Sequence, residues 1–401
     1  MIARAARRIA NRTLLAMALG LALTSAAGTK SPDAPAGFVR REGTRLVLDG
    51  KPYRIAGVNN HYLAFGTPEE VTRVLDDAVA MGANVVRTFI QPVIGSPDGT
   101  VPTNWNWRSA ASASDLGTGG AYMMSWDPAA GRMAVNDGPD GLERIDFVLA
   151  EAAKRDLRLI VAFVDFWGYT GGAQQMSVWY GSTDKYTFFA QDPRTRRDYK
   201  DLVRRVLTRT NAITGRLYKD DPTVLAWDLA NEPDIHPLAL RIDWVGEMSA
   251  FVKSLDPAHL LATGHANMVD PFADLAAPAI DLGTWHGYPN QSGMSPDDFD
   301  ALIRRNCAAA ERYGKPILLE EFGVPRSDTR QSASYRQWLA TLQASPGCPG
   351  WVIWRLVGLQ KDGRFPTDEH DKLDIRNDAS PVWRVLQQAA RNLLRPPAYA
   401  D

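Results

Sequence analysis

The sequence predicts an α/β fold: a (β/α)8 TIM barrel carrying an N-terminal β-hairpin and long, aromatic-rich βα loops. Three observations point there. Eight short runs are each apolar enough to be buried on both faces, the pattern of a parallel sheet rather than a half-exposed one. Most are followed by segments of helical spacing, so strand and helix alternate along one chain. Two of the runs end abruptly in acids, Asn231-Glu232-Pro233 and Glu320-Glu321-Phe322-Gly323, at the strand end where barrel sites are built.

Taken in order, residues 1–27 are expected to be a secretory signal peptide. Arg4, Arg7, Arg8 and Arg12 precede an apolar run over 14–23, and Ser25-Ala26-Ala27 supplies small residues for cleavage. The apolar run is too short for a stable membrane anchor. Residues 28–37 read as a linker and 38–401 as a single catalytic domain. Residues 38–53 alternate, with turns at Gly43 and Asp49-Gly50, and read as the hairpin. Barrel strands are expected over 54–59, 83–90, 157–164, 223–232, 259–263, 280–286, 316–321 and 350–355. Helices are expected over 69–81, 139–155, 238–255, 296–313, 330–344 and 381–394. A long one is expected over 192–218, with Asp192 as N-cap and Pro193 in its first turn. After the fifth strand, 267–277 offers only a poor, short helix.

Two long loops fall after the second and third strands. Residues 91–138 carry Trp105, Trp107, Tyr122 and Trp126, and residues 165–191 carry Trp167, Tyr169, Trp179 and Tyr180. Some of these rings are expected to pack within the loops and the rest to line a carbohydrate cleft.

Composition narrows the function. Removing residues 1–27 takes away four arginines and no acid, so the formal net charge moves from −1 to −5. A mildly acidic exported chain lacks the basic footprint of a nucleic-acid binder, and no membrane-surface helix is visible. No phosphate-binding glycine loop or dinucleotide fingerprint occurs, so no cofactor is implied. No metal site is expected: Cys307 and Cys348 are too far apart in sequence for a zinc pair, and Asp368-Glu-His-Asp371 reads as a solvated loop. A Cys307–Cys348 disulfide and two buried thiols both remain open.

The chemistry lies in the two acids. Strands four and seven lie opposite each other in an eight-stranded barrel, so Glu232 and the acid of strand seven can face across its mouth. Two facing carboxylates are the minimum for glycoside hydrolysis, one protonated to donate, one ionised to attack or to activate water. Pro233 is expected to hold Glu232 extended. The pleat is expected to send only one of Glu320 and Glu321 into the mouth.

On these motifs the chain resembles the family 5 glycoside hydrolases. Phe188-Phe-Ala-Gln-Asp-Pro193, Tyr199-Lys200, Leu207-Thr-Arg-Thr-Asn-Ala-Ile-Thr-Gly215, Tyr218-Lys-Asp-Asp-Pro-Thr-Val-Leu-Ala-Trp227 and Phe251-Val-Lys-Ser-Leu-Asp-Pro-Ala-His-Leu (251–260) look like secreted β-mannanases of that family. The resemblance implies a retaining mechanism with Glu232 as general acid/base and Glu321, directly before an aromatic and a glycine, as nucleophile. It implies that Asn231 bonds the sugar 2-hydroxyl and that Arg87 keeps Glu321 ionised and low in pKa. Tyr288 would donate to the nucleophile, His286 would bond the acid/base or sugar, and Trp354 would be a sugar-stacking platform. Trp167 is placed with the substrate-binding residues; Trp227 and Trp351 read as core.

The chain departs from the mannanase pattern at Val164-Asp-Phe-Trp167, where asparagines are expected, and at Thr263-Gly-His-Ala-Asn267 and 356–378. The implied partner is a β-mannan-type polysaccharide acted on by a monomer outside the cytoplasm, secreted or periplasmic. An exo-acting β-mannosidase, a β-1,4-glucanase and a non-catalytic carbohydrate-binding barrel are the alternatives.

Overall fold

The computed structural model describes residues 36–104, 119–266, 272–366 and 372–395, and Pro35–Asp401 cluster as one compact unit. The expected signal peptide, most of the linker, Trp105, Trp107 and Asp368-Glu-His-Asp371 lie outside the described residues.

The N-terminal segment is a three-stranded antiparallel sheet rather than a single hairpin: β1 (Val39–Glu42), β2 (Arg45–Leu48) and β3 (Lys51–Tyr53). Its second turn places Asp49 and Gly50 at φ 49° and 75°, as a tight two-residue hairpin turn requires. Then follow β4 (Ile55–Asn59), α1 (Pro68–Met81), β5 (Val85–Phe89) and a small hairpin inside the 91–138 loop, β6 (Met124–Asp127) with β7 (Arg132–Val135). The chain continues through α2 (Glu143–Ala153), β8 (Arg158–Ala162), α3 (Gly172–Val178), α4 (Lys185–Gln191), α5 (Pro193–Leu207), β9 (Val224–Asp228), α6 (Leu238–Leu255) and β10 (Leu260–Ala262). It ends with β11 (Gly283–Gly287), α7 (Pro289–Ser292), α8 (Pro296–Tyr313), β12 (Ile317–Phe322), α9 (Gln331–Ala344), β13 (Gly350–Ile353) and α10 (Pro381–Leu394).

Eight strands form one parallel sheet in the order β10-β9-β8-β5-β4-β13-β12-β11. A parallel bridge between Ala262 and Leu282 joins its two ends, so the expected (β/α)8 barrel closes there. Asp192 caps α5 through the Arg194 N–H at 2.8 Å, as expected. The helix stops at Leu207, not near 218. Asn211 offers its side-chain oxygen to the Ile213 and Thr214 N–H groups, a local turn that competes with continued helix. Within the weak segment after β10 the described residues form one 3₁₀ turn, Ala273–Ala276; residues 267–271 lie outside them.

Alternation along the strands stratifies the barrel interior. Ile55, Val85, Ile160, Ala226, Leu260, Leu282, Leu318 and Val352 form a buried apolar cluster, to which Val39 and Leu46 of the N-terminal sheet belong. Two residues further along, the same faces bring up Gly57, Arg87, Asp228, Thr284 and Glu320, a buried layer that includes three ionisable groups. The polar layer is the floor of the site. Trp227 and Trp351 are buried core residues, as expected. Trp227 stacks on Phe163 at 5.1 Å, and Trp126, Trp179 and Tyr180 pack on one another within the loops.

Cys307 and Cys348 form a disulfide spanning 41 residues, tying α8 to the turn before β13. Thiol titration of the denatured, unreduced protein should detect no free thiol. Replacing both cysteines by alanine should lower unfolding free energy by about 2–4 kcal/mol, the scale for a loop of this length. A titratable thiol in the unreduced protein would refute the bridge.

Candidate active site

The two acids leave regular strand geometry before they reach the mouth. The β9 ladder ends at Asp228, four residues short of Glu232. Residues 229–232 remain tethered to both sides by the Leu229, Ala230, Asn231 and Glu232 N–H groups, which donate to Ala262, Thr263, Val164 and Gly264 carbonyls. Glu232 is not extended, as the following proline led one to expect, but sits at φ 50° in the left-handed region, where non-glycine side chains are strained. Its N–H bond to the Gly264 carbonyl, 2.8 Å, helps hold it there. Gly264 is required for that approach, because a side chain on it would overlap the Ala230 carbonyl.

On β12 the simple pleat argument fails too. Register with β11 slips between Trp285 and His286, so Leu319 faces Trp285 while Glu321 faces His286 and Glu320 is the extra residue. Both acids therefore sit inside. Glu320, wholly buried, lies 3.4 Å from Arg87 Nε and 3.4 Å from His286 Nε2. Glu321 lies above it in the cleft.

The cleft is open to solvent and has a volume of about 860 Å³ counting its mouth. Of the expected residues, Glu232, Glu321, Asn231, Tyr288, Trp354 and Trp167 line it. Arg87 and His286 do not; at 0% and 1% exposure they lie beneath the floor and act on the carboxylates, not on a ligand. Arg87 Nη1 donates to Glu321 at 2.6 Å and to Asn59 at 3.2 Å. Its Nε donates to Asp228 at 2.8 Å and its Nη2 to Asn231 at 3.0 Å. Asn231 is further fixed by donating to Asp165 at 2.9 Å, which leaves one amide hydrogen for a ligand.

Tyr288 donates to Glu321 Oε2 at 2.5 Å. Glu232 is gripped at both oxygens, by His286 Nδ1 at 2.6 Å and by the Trp167 indole N–H at 2.6 Å. Trp167 thus spends its polar edge on the acid while its ring faces the cleft. An oxygen of Glu232, an oxygen of Glu321 and a ring nitrogen of His286 all lie within 4.8 Å of one another. These are metal-ligand types, but His286 Nδ1 is bonded to Glu232, and Glu321 to Arg87 and Tyr288.

Charge settles unevenly over this cluster. Burial opposes a charge on His286, but Glu321, Glu232 and Glu320 around it push its pKa up to about 10, so it is cationic at neutral pH. Burial would raise Glu232, yet the His286 bond and charge, with the Trp167 bond, hold it below the usual carboxylate value. Glu321 is raised: its burial outweighs His286 and Arg87, which corrects the expectation that Arg87 keeps it low. Burial, reinforced by Glu320, lifts Asp228 to about 7. Asp165 is also lifted to about 7, by burial foremost.

Sequence reasoning missed Asp165, His61, Gln91 and Arg355, all in the cleft wall. Asp165 had a signal, since it stands where asparagine was expected. His61 and Arg355 follow β4 and β13 at the active end, and Arg355 Nη1 lies 2.6 Å from His61 Nδ1. The Trp354–Arg355 peptide is cis.

Two facing carboxylates at the mouth of a (β/α)8 barrel, backed by a buried cation and lined by aromatic rings, define the class: a barrel glycoside hydrolase. A profile of GH family 5 beta-mannosidase-like proteins matches residues 129–341. A putative mannan endo-1,4-beta-mannosidase 9 of Oryza sativa subsp. japonica is 31% identical over 86% of this chain and 87% of its own. Mannan endo-1,4-beta-mannosidase F of Aspergillus fumigatus is 29% identical over 84% and 74%. An endo-1,4-beta-mannanase crystal structure from Rhizomucor miehei superposes with a TM-score of 0.75 at 26% identity, covering 89% of this chain and 99% of that one. The chain belongs to glycoside hydrolase family 5.

The carboxyl of Asp165 yields a test of this electrostatic layout. Its folded pKa near 7 exceeds the ordinary 3.8, so between those values the folded state holds a proton that the unfolded chain has released. Stability from this group is full below about 4 and is lost as pH rises through 7. Asp165→Asn keeps the acceptor for Asn231 and removes that contribution. The melting temperature should therefore fall less between pH 5 and pH 8 in the variant than in the wild type; equal falls would refute a buried proton on Asp165.

Proposed function

We propose that this chain is a secreted, retaining endo-β-1,4-mannanase acting on mannan, glucomannan or galactomannan. The observation that carries the retaining assignment is the approach of a Glu232 and a Glu321 oxygen to within 4.8 Å. Retaining pairs stand about 5–5.5 Å apart, whereas inverting pairs, roughly 6.5–9.5 Å apart, leave room for a water between them. The mannan specificity rests on what the relatives are named for, and export rests on residues 1–27. Among the described residues no helix is long and apolar enough to cross a membrane.

In the first half-reaction a Glu321 oxygen attacks the anomeric carbon as the glycosidic C–O bond breaks. The leaving oxygen takes the electron pair and a proton from Glu232, giving a mannosyl–Glu321 ester. That proton starts 2.6 Å away on His286 Nδ1 and crosses an existing hydrogen bond, which leaves both groups neutral. In the second half-reaction Glu232, now a carboxylate, removes a proton from water and passes it back to His286 Nδ1, which restores the starting pair. The water oxygen bonds the anomeric carbon and Glu321 departs. Two inversions retain the β configuration. Arg87 and Tyr288 orient the Glu321 oxygens, Asn231 offers its remaining amide hydrogen to the sugar 2-hydroxyl, and Trp354 supports the ring undergoing cleavage.

Glu232→Ala and Glu321→Ala should each cut reducing-sugar release from mannan by at least about 10³-fold, near the upper range for a lost acid/base and a lost nucleophile. Proton NMR of a mannohexaose digest should show the β anomer formed first; an α anomer would refute retention. Internal fragments indicate endo cleavage, mannose alone would indicate an exo-mannosidase, and faster turnover of cellohexaose a glucanase. Tyr288→Phe removes a bond that lowers the Glu321 pKa, so the acidic limb of kcat/KM should move to higher pH.

A further inference from the structure

Lys185 opens α4 with only 3% of its surface exposed. Its ammonium sits 4.0 Å from the Trp167 ring centroid, 4.9 Å from Phe166 and 5.2 Å from Tyr186. Among the described residues no carboxylate reaches ion-pair distance of it. A buried ammonium without a hydrogen-bonded anion is costly, and the first turn of a helix is the end that disfavours a cation. Burial accordingly pulls its pKa down to about 8, resisted by the more distant Asp165, Asp234 and Glu232. A methionine would fill the same aromatic cage without that cost. The charge is kept where it is expensive, so the question is what it acts on.

The ring it covers most closely is the one whose N–H holds Glu232 Oε2 at 2.6 Å. A cation on an indole face is attracted by the ring quadrupole and draws density from the ring, which strengthens the N–H as a donor. The neighbourhood also needs positive charge. Glu232 and Glu321 lie within each other's field, countered by Arg87 and His286, and Lys185 adds a further cation that Glu232 feels.

We propose that Lys185 is a positioning residue for the general acid/base: its ammonium on Trp167 pins the indole and, through the indole N–H and its own field, sets the orientation and proton affinity of Glu232. This rests on Glu232 being the acid/base. Groups facing the ammonium are Asp165, Glu232 and Asp234 together with the three rings. Removing a nearby cation raises the affinity of Glu232 for its proton.

The test uses the full chain with Lys185→Met and Lys185→Arg, measuring kcat/KM from pH 4 to 9 on mannohexaose and on a dinitrophenyl β-mannobioside. The second substrate expels a leaving group that needs no proton. In Lys185→Met, kcat/KM on mannohexaose should fall roughly tenfold, a small share of what a positioned acid supplies, and its basic limb should move to higher pH. The dinitrophenyl substrate should lose less than about twofold. Lys185→Arg, which keeps a cation over the ring, should restore the wild-type limb. Equal losses on both substrates with an unmoved limb would mean that Lys185 only packs, and would overturn the proposal. So would a methionine variant indistinguishable from wild type. Glu232→Ala is the control: full activity on mannohexaose would overturn the acid/base reading itself, so the two failures are told apart.

Discussion

One buried cation organises this barrel mouth. Arg87 spends its guanidinium on Glu321, Asp228, Asn231 and Asn59, with Glu320 3.4 Å away, and so links β4, β5, β9 and β12 across the interior. Burial works against its charge, but the surrounding carboxylates hold the guanidinium protonated with a raised pKa. Such a group cannot be deleted neutrally: removing one partner of a buried pair leaves uncompensated charge, typically worth 3–5 kcal/mol. Asn231 and Glu321 take their orientation from the same side chain, so the geometry of sugar contact and of nucleophile is one geometry.

Much of this was legible in the sequence where periodicity and strand-end chemistry speak. Eight apolar runs and their helices were readable because both faces of a parallel strand are buried. The two cleft acids were readable because they end buried strands at the active face, whereas the cation on β5 and the Tyr288 donor were implied only by the resemblance to family 5. What escaped depends on irregular backbone or on through-space sums. The slip at Glu320, the left-handed Glu232 and the Asn211 turn that shortens α5 leave no hydrophobic pattern. Nor could spacing foresee that burial would outweigh Arg87 at Glu321, since a pKa integrates neighbours drawn from several strands. The disulfide stayed open for the same reason: two cysteines in sequence carry no Cα–Cα distance, and 5.2 Å exists only once α8 and the β13 turn are packed.

His286 connects the two halves of the chemistry. At 1% exposure it contacts Glu232 directly, with Glu320 at 3.4 Å and Glu321 at 3.5 Å. A cation there stabilises an ionised Glu232 at rest. It also stores, one hydrogen bond away, the proton that protonation of a leaving sugar requires. In the proposed first step Glu321 would give up its negative charge in forming an ester, which would weaken the field favouring charge on His286 and shift the shared proton toward Glu232. The electrostatic coupling that lowers Glu232 in the empty site therefore relaxes in the direction that the proposed first step demands.

Regularity and irregularity divide the labour. The apolar layer that contains Ile55, Val85, Leu282 and Leu318 buries the lower interior of the barrel, with a register slip of its own at Leu225 between β8 and β9. One pleat higher, the same alternation delivers Arg87, Asp228 and Glu320 to the interior, where they are too deep to touch a polysaccharide. A strictly regular β12 would then turn Glu321 away from the mouth, and an extended Glu232 would follow β9 out of reach of His286. The bulge at Glu320 and the left-handed turn at Glu232 correct each acid by about one residue's rotation, each held by its own anchors: Arg87 with Tyr288 on one side, His286 with Trp167 on the other. Both corrections lie above the apolar layer, so the acids are aimed by local backbone geometry and polar anchors rather than by the packing of the core.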